Sequence, residues 1–306
     1  MQDGSKKAII AAFFANLGIA IAKFIGFLIT RSAGLLAEAG HSLADTGNQA
    51  LLIFGSKRSQ RPADRAHPFG YGPERYFWSF VVALVLFSMG GLFALFEGIS
   101  KLRRPHEIDS AAVAFGILGF AILLESYSLR TAVQEANHVK PKDKGWWWFI
   151  RNAKSPELPV VLLEDTGAEL GLAFALLGLI LSEVTGNPRW DAAGSIAIGL
   201  LLIVVAAILA VEMKGLLIGE AATDDVHQKL VEAIEGAPQV NSLIHLRTMH
   251  LAPEQLLVAA KIEFDRSLSI EQLAPAVDAT EVALRAAVSF DLMIYIEPDI
   301  RRTVTA

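Results

Sequence analysis

The chain lacks cysteine and carries few charges, and each absence narrows what the protein can be. None of its 306 residues is cysteine, so disulfide bonds and thiolate metal ligands are excluded. Charged residues make up only 19% of the sequence and the net charge is -5, so nothing indicates a nucleic acid partner. No His-Glu-x-x-His pattern and no Walker-type glycine loop occurs, which argues against an enzyme. Any bound metal must be held by imidazole, carboxylate, amide or carbonyl groups, or by water.

Apolar residues are abundant and grouped into long runs. Hydrophobic residues make up 53% of the chain and the mean hydropathy is +0.43, which is too apolar for an ordinary soluble domain. Six runs are each near the roughly 20 residues that a helix needs to cross a bilayer. They are approximately 8–30, 33–55, 77–100, 110–134, 158–183 and 191–213. The sequence therefore predicts a six-helix transmembrane bundle within residues 1–213.

Basic residues orient the predicted spans. They are concentrated before the first span, between the second and third spans, and between the fourth and fifth. Because lysine and arginine favour the cytoplasmic side, this pattern predicts that both termini are cytoplasmic, and we expect a bacterial inner membrane. One loop opposes this orientation, since its charges would face outward: Lys101, Arg103 and Arg104.

The last part of the chain, residues 214–306, has the composition of a small soluble domain. Its pattern predicts the order α-β-β-α-β, typical of a ferredoxin-like α+β sandwich. The predicted strands are Val240–Leu251, Gln255–Phe264 and Phe290–Glu297, and the second helix is Ile270–Ala287 with Ser269 as its cap. Such a small domain has a marginal core, so we predict a cytoplasmic domain that pairs with a second copy to form a homodimer.

The second predicted span contains a histidine and an aspartate. His41 and Asp45 are four residues apart, so on a helix they share one face. An imidazole and a carboxylate within a membrane cost several kcal/mol unless they meet a partner, an ion or water. The sequence therefore predicts a functional site at this position.

The fifth predicted span contributes three acidic residues. Asp165 and Glu169 share a helical face, while Glu164 lies about 100° around the helix from Asp165. If Asp165 faces His41 and Asp45, three ligands converge, and zinc would accept them with water or Glu169 completing the coordination. The alternative is that these acids form hydrogen bonds to neighbouring helices.

Several motifs together resemble one family. They are His41-Ser42-x-x-Asp45-Thr46, the loop His67-Pro68-Phe69-Gly70-Tyr71-Gly72, the segment Leu163-Glu164-Asp165, and Asp191-x-x-x-Ser195-Ile196-x-Ile198-Gly199. The combination resembles the cation diffusion facilitator family of divalent-metal transporters. That resemblance implies a homodimer of six-helix protomers that exports zinc or a related metal in exchange for protons. The metal is then a substrate, and no prosthetic group is expected.

The resemblance also assigns the transport site to positions on the second and fifth spans. In this chain they fall on His41, Asp45, Val161 and Asp165. Val161 departs from the family pattern, because many members carry a histidine there and valine cannot bind a metal. The segment from Ser155 to Asp165 is similar to the corresponding segment in the branch of the family related to mammalian zinc transporter nine. Glu164 or Glu169 could replace the missing ligand, and oxygen donors would make manganese, iron or cobalt candidate substrates beside zinc.

Two further regions are candidate secondary metal sites. The loop between the second and third spans contains Asp64 and His67, with Tyr71 where relatives carry a ligand. The cytoplasmic domain offers three candidates, His245, His250 and Glu297, but Lys261 stands where a histidine ligand can occur. The spacing of the two histidines places them on opposite faces of a strand. A lysine ammonium would repel a metal ion, so dimerisation is the favoured role of this domain.

Other functional classes stay open beside a proton-coupled carrier. A membrane-bound metal sensor would use the cytoplasmic domain to signal to a partner, and a passive channel would conduct metal without saturation. Glu97 and Glu125, in the third and fourth spans, suit helix packing or a proton path better than metal binding.

Overall fold

Most of the protein is helical, and the computed structural model describes residues 3–105 and 110–302, with side chains from residue 16 onward. A π-helical segment, Leu86–Leu92, joins α3 to α4. The helices are α1 (Asp3–Thr30), α2 (Ala33–Ser59), α3 (Glu74–Val85), α4 (Phe93–Arg103), α5 (Ala111–Val139), α6 (Trp146–Asn152), α7 (Glu157–Thr185), α8 (Arg189–Ile218), α9 (Asp224–Glu235) and α10 (Ile270–Ala287). The strands are β1 (Val240–Ala252), β2 (Gln255–Phe264) and β3 (Asp291–Pro298).

The chain divides into two compact units. The first comprises Met1–Arg58 and Glu74–Lys214, and the second comprises Ser59–Pro73 and Gly215–Ala306. The loop between α2 and α3, which the sequence analysis assigns to the membrane domain, therefore groups with the second unit.

Four helical stretches among the described residues are long and apolar enough to cross a bilayer. One is Glu74–Arg103, which α3, the π-helical segment and α4 form together, and the others are α5, α7 and α8. The described apolar part of α1, Asn16–Thr30, is shorter, and polar residues interrupt α2. The last four predicted spans are therefore found, while the count of six stays a prediction.

The first unit buries polar side chains and exposes large apolar ones. Lys23, Glu38 and His41 are fully buried, whereas Phe96 and Leu123 are each 71% exposed. A soluble protein would expose the charges instead, because buried charges without compensation are costly. A polar interior inside an apolar outer surface is the arrangement expected of a multi-pass integral membrane protein.

Glycines allow the third span to pack closely against α8. A Cβ on Gly199 would lie 2.7 Å from the backbone nitrogen of Leu95, and a Cβ on Gly98 would lie 2.8 Å from that of Ile196. Small residues permit such backbone approach between membrane helices, which increases van der Waals contact. This contact fixes the third span beside α8.

The second unit contains a three-stranded sheet in the order β1–β2–β3. Strand β2 is antiparallel to β1 and parallel to β3. Alternate residues of β2 are buried, and they share one apolar core with Leu230 of α9 and Leu284 of α10. The helices therefore cover one face of the sheet, and the predicted order α-β-β-α-β is confirmed.

The predicted boundaries in this unit are close to the observed ones. The bounds of β2 and α10 agree with the predictions, β1 ends at Ala252 rather than Leu251, and β3 is Asp291–Pro298 rather than Phe290–Glu297. Ser269 caps α10 as predicted, through a capping box in which its backbone N–H donates to Gln272 Oε1 at 3.0 Å.

Candidate functional site

His41 and Asp45 lie side by side on α2, inside the first unit. His41 Nε2 is 3.5 Å from Asp45 Oδ2, and His41 is fully buried while Asp45 is 9% exposed. In the part of the chain that the structure describes, neither ring nitrogen of His41 nor Asp45 Oδ1 has a hydrogen-bond partner. Buried polar atoms without partners are costly, so this pair requires a proton, an ion or water. The predicted shared face is confirmed.

The π-helical segment of the third span packs beside this pair. A Cβ on Gly90, within that segment, would lie 3.9 Å from His41 Nδ1, and a Cβ on Gly40 would lie 2.8 Å from the Phe93 ring. Such segments are rare and frequently occur at functional sites. The third span therefore lies within van der Waals reach of the imidazole at Gly90, a contact that the sequence pattern does not predict.

The three acids of α7 divide between two neighbouring helices. Asp165 Oδ2 accepts a hydrogen bond from Ser128 Oγ of α5 at 2.9 Å, and Glu169 Oε1 accepts one from a second serine of α5 at 2.9 Å. Glu164 Oε1 instead accepts a hydrogen bond from Asn48 Nδ2 of α2 at 2.6 Å. The predicted shared face of Asp165 and Glu169 is therefore confirmed, and Glu164 is the acid of α7 that bonds to α2.

Negative charge is concentrated around Asp45. Glu164, Glu125 and Asp165 all lie close enough for their charges to act on its carboxylate. Across the described ranges, no three histidine, aspartate or glutamate side chains are already arranged as a complete metal site. Asp165, Glu164 and Glu169 as ligands thus stay predictions.

Val161 belongs to an apolar cluster in the first unit. It packs against a group that includes Phe149 of α6, Leu162 of α7 and Ala136 of α5. The helix α6 therefore contributes packing at the position where the family pattern expects histidine, and Val161 adds no polar atom there.

Lys23 is a buried residue of this region that the sequence analysis did not select. Its ammonium lies 3.1 Å from Glu38 Oε2, 2.8 Å from Ser42 Oγ and 3.6 Å from Glu125 Oε1. These contacts join α1 to α2 and α5. The sequence feature that could have identified it is a lone lysine within the apolar run 8–30. Glu125 belongs to the same cluster of ion pairs.

A second buried ion pair joins the ends of α4 and α8. Lys101 Nζ lies 2.8 Å from Asp191 Oδ2 and donates to the carbonyl of Arg31 at 2.9 Å. Asp191 also accepts hydrogen bonds from Ser32 Oγ and from the backbone N–H of Ala33, both at 2.7 Å. The predicted loop position of Lys101 is wrong, because its side chain is buried in the last turn of α4, whereas the side of the membrane that this end faces stays a prediction.

The loop before α3 is organised by Asp64. Its carboxylate accepts hydrogen bonds from Tyr71 Oη at 2.7 Å and from the backbone N–H of His67 at 2.7 Å. These bonds, the tyrosine hydroxyl first, lower the pKa of Asp64 below its ordinary value. His67 Nδ1 lies 3.6 Å from Asp64 Oδ1. The two residues meet as predicted, and a metal site at this loop stays a prediction.

The candidate ligands of the cytoplasmic domain do not all meet. His245 is exposed, whereas His250 is buried with its ring 5.4 Å from that of Phe290. Lys261 Nζ lies 2.9 Å from Glu297 Oε1, and it also contacts Asp299. These two carboxylates raise the pKa of Lys261, which keeps its positive charge beside Glu297. Metal binding by these three candidates stays a prediction.

Comparison with known proteins covers nearly the whole chain. Residues 9–218 match the model of the cation efflux transmembrane domain, and residues 222–299 match that of the cation efflux protein cytoplasmic domain. The human protein named proton-coupled zinc antiporter SLC30A9, mitochondrial, is 32% identical over 263 residues, which are 86% of this chain and 46% of that protein.

A plant relative and a solved structure add to this comparison. Metal tolerance protein C4 of Arabidopsis thaliana is 30% identical over 271 residues, which are 87% of this chain and 59% of that protein. The chain thus spans about half the length of the curated relatives it matches. A MamM-CTD structure matches 26% of this chain and 95% of its own, at 26% identity and a TM-score of 0.23.

Proposed function

Because the chain belongs to the cation efflux family, we propose that it moves a divalent metal ion, zinc first among the candidates, across a membrane in exchange for protons. The observation that carries this proposal is the buried His41–Asp45 pair, whose donor atoms have no hydrogen-bond partners among the described residues. The human relative, which is named a proton-coupled zinc antiporter, supports zinc as the substrate and coupling to protons.

The coupling follows from competition for the same atoms. A metal ion binds a neutral imidazole and an ionised carboxylate, so protons that bind to His41 and Asp45 displace it. Asp165 is the proposed third ligand, and it must exchange its hydrogen bond to Ser128 for the metal. Glu164 or Glu169 completes the site in place of a histidine. Alternating access then requires α2 and α7 to expose these groups to one side of the membrane at a time.

The proposed architecture follows the family. Residues 1–213 form six spans and residues 214–306 form a ferredoxin-like cytoplasmic domain that pairs two copies into a homodimer. Both termini are cytoplasmic, and a bacterial inner membrane is the proposed location. Val161 leaves only one histidine in the transport site, so manganese, iron and cobalt are the alternative substrates.

The test is uptake of zinc into proteoliposomes that contain a metal-sensitive dye. We expect uptake to depend on a pH gradient, to saturate with zinc and to be lost in Asp45→Ala. Asp143→Ala is the matched control, because that aspartate side chain is 74% exposed and should leave transport unchanged.

Two results would contradict the proposal. Undiminished transport by Asp45→Ala, in protein whose melting temperature equals that of the wild type, would remove this residue from the site. A purified wild-type protein that binds zinc, yet transports neither zinc nor manganese, iron or cobalt, would favour the membrane-bound sensor.

A further inference from the structure

A lysine occupies the centre of the acidic interior. The Lys23 side chain is 1% exposed, and its ammonium contacts Glu38 Oε2 at 3.1 Å and Ser42 Oγ at 2.8 Å. Glu125 Oε1 of α5 lies 3.6 Å from the same ammonium. One positive charge is therefore shared by two carboxylates from different helices.

Lys23 contacts only one of the two oxygens of the Glu38 carboxylate, Oε2. Its Oε1 is buried without a hydrogen-bond partner in the described residues, and it would lie 2.5 Å from a Cβ on Gly171 of α7. The missing side chain at Gly171 thus lets α7 pack against Glu38. A carboxylate with one open oxygen, inside a membrane protein, is a strong attractor for any cation that reaches it.

Lys23 also lies near the proposed transport site. Ser42, which accepts its hydrogen bond, follows His41 directly, and Glu38 precedes His41 by about one turn of α2. The serine that binds the lysine ammonium is thus one residue from His41 and three residues, about one helical turn, from Asp45. Whatever binds to this pair therefore meets the lysine charge in a dry, weakly screening environment.

We propose that Lys23 is a built-in counter-cation that sets the metal affinity of the site. It holds Glu38 and Glu125 in an ion pair, so these carboxylates do not join Asp45 in binding the metal, and its charge weakens binding at the His41–Asp45 pair. A carrier must release its cargo, and additional anionic ligands would slow that release. This inference rests on the proposed function, because it assigns Lys23 a role in the same site.

The test replaces Lys23 with Met and measures zinc binding to the purified full chain by equilibrium dialysis. We expect Lys23→Met to bind zinc about tenfold more tightly or better, because a repelling charge is gone and two carboxylates are released. The maximal rate of uptake should fall at the same time, since release becomes slower. Structural damage would weaken binding rather than strengthen it, so a gain in affinity separates the two explanations.

Further variants keep the test decisive if Lys23→Met does not fold. Glu125→Gln retains the Lys23–Glu38 contact but leaves the lysine less neutralised, and we expect it to bind zinc several-fold more weakly. Lys23→Arg should rescue the affinity change seen with Met, and Lys144→Met serves as the control lysine, because that side chain is 43% exposed.

Two outcomes overturn the inference. One is unchanged or weaker zinc binding by folded Lys23→Met, and the other is unchanged binding by Glu125→Gln. Neither result concerns transport by the wild type, so the proposed function would still hold. The proposed function fails instead if the wild type binds zinc but does not transport it.

Discussion

Loss of the Lys101 charge should destabilise the end of the first unit where α4, α8 and the α1–α2 turn meet. Lys101 and Asp191 have no exposed side-chain surface, and their charged atoms are 2.8 Å apart. Lys101 also holds the carbonyl of Arg31, whose φ of 57° is unusual for a residue other than glycine. The substitution Lys101→Met keeps the length of the side chain while it removes both interactions.

The loss in free energy of unfolding depends on which buried charged group each variant leaves without its partner. Attraction across 2.8 Å is about 6 kcal/mol at an effective dielectric constant of about 20, and loss of one member of a buried pair costs about 3–5 kcal/mol. Lys101→Met leaves Asp191 its bonds from Ser32 and Ala33, so we expect the lower value, about 3 kcal/mol. Asp191→Asn leaves a buried ammonium with only neutral oxygen acceptors and no counter-charge, and should cost more.

The assay is thermal unfolding of the purified protein in detergent. At about 2–4 °C per kcal/mol, the melting temperature of Lys101→Met should fall by about 6–12 °C. Lys144→Met is the matched control, because its ion pair to Asp143 is exposed and should matter little. The double variant Lys101→Met/Asp191→Asn should melt above either single variant, since it leaves no unpaired charge. A double variant that loses the sum of the two single effects would refute this reasoning.

Two other predictions concern the cytoplasmic domain and the helix contacts. Glu297 and Asp299 raise the pKa of Lys261 above 10.5, so this stabilisation is complete below that value and is lost as the pH rises through the raised pKa. The next backbone N–H and Lys261 lower the pKa of Asp299 below 3.8, so that stabilisation is present above 3.8 and is lost as the pH falls through the lowered pKa. Lys261→Met should therefore flatten the dependence of melting temperature on pH at both extremes, and an unchanged profile would contradict this assignment. Gly199→Ala should cost about 1–3 kcal/mol in unfolding measurements because its Cβ would lie 2.7 Å from a backbone nitrogen, whereas Gly116→Ala, with nothing within 4 Å, should cost none.

The sequence identified residues whose chemistry conflicts with their surroundings, and it could not identify their partners. His41 and Asp45 stand out because an apolar run contains them, and their four-residue spacing places them together on any helix. Lys23 carries the same signal, but Glu38 and Glu125 reach it only through the packing of α1 against α2 and α5. No local periodicity encodes such contacts.

The predicted orientation of the spans in the membrane shows the same limit, because the sequence pattern treats the buried Lys101 as a charge in a loop. The charge pattern of the sequence places Lys101 among the residues that oppose cytoplasmic termini, because a lysine near a predicted span end normally lies in water or among headgroups. In the structure its ammonium is buried and neutralised by Asp191, so it says nothing about the side of the membrane. Only Arg103 and Arg104 then oppose the proposed orientation, against five basic residues between the second and third predicted spans: Lys57, Arg58, Arg61, Arg65 and Arg75. Pairing inside the bundle, which only the fold reveals, therefore removes one charge that opposed cytoplasmic termini, and the orientation itself stays a prediction.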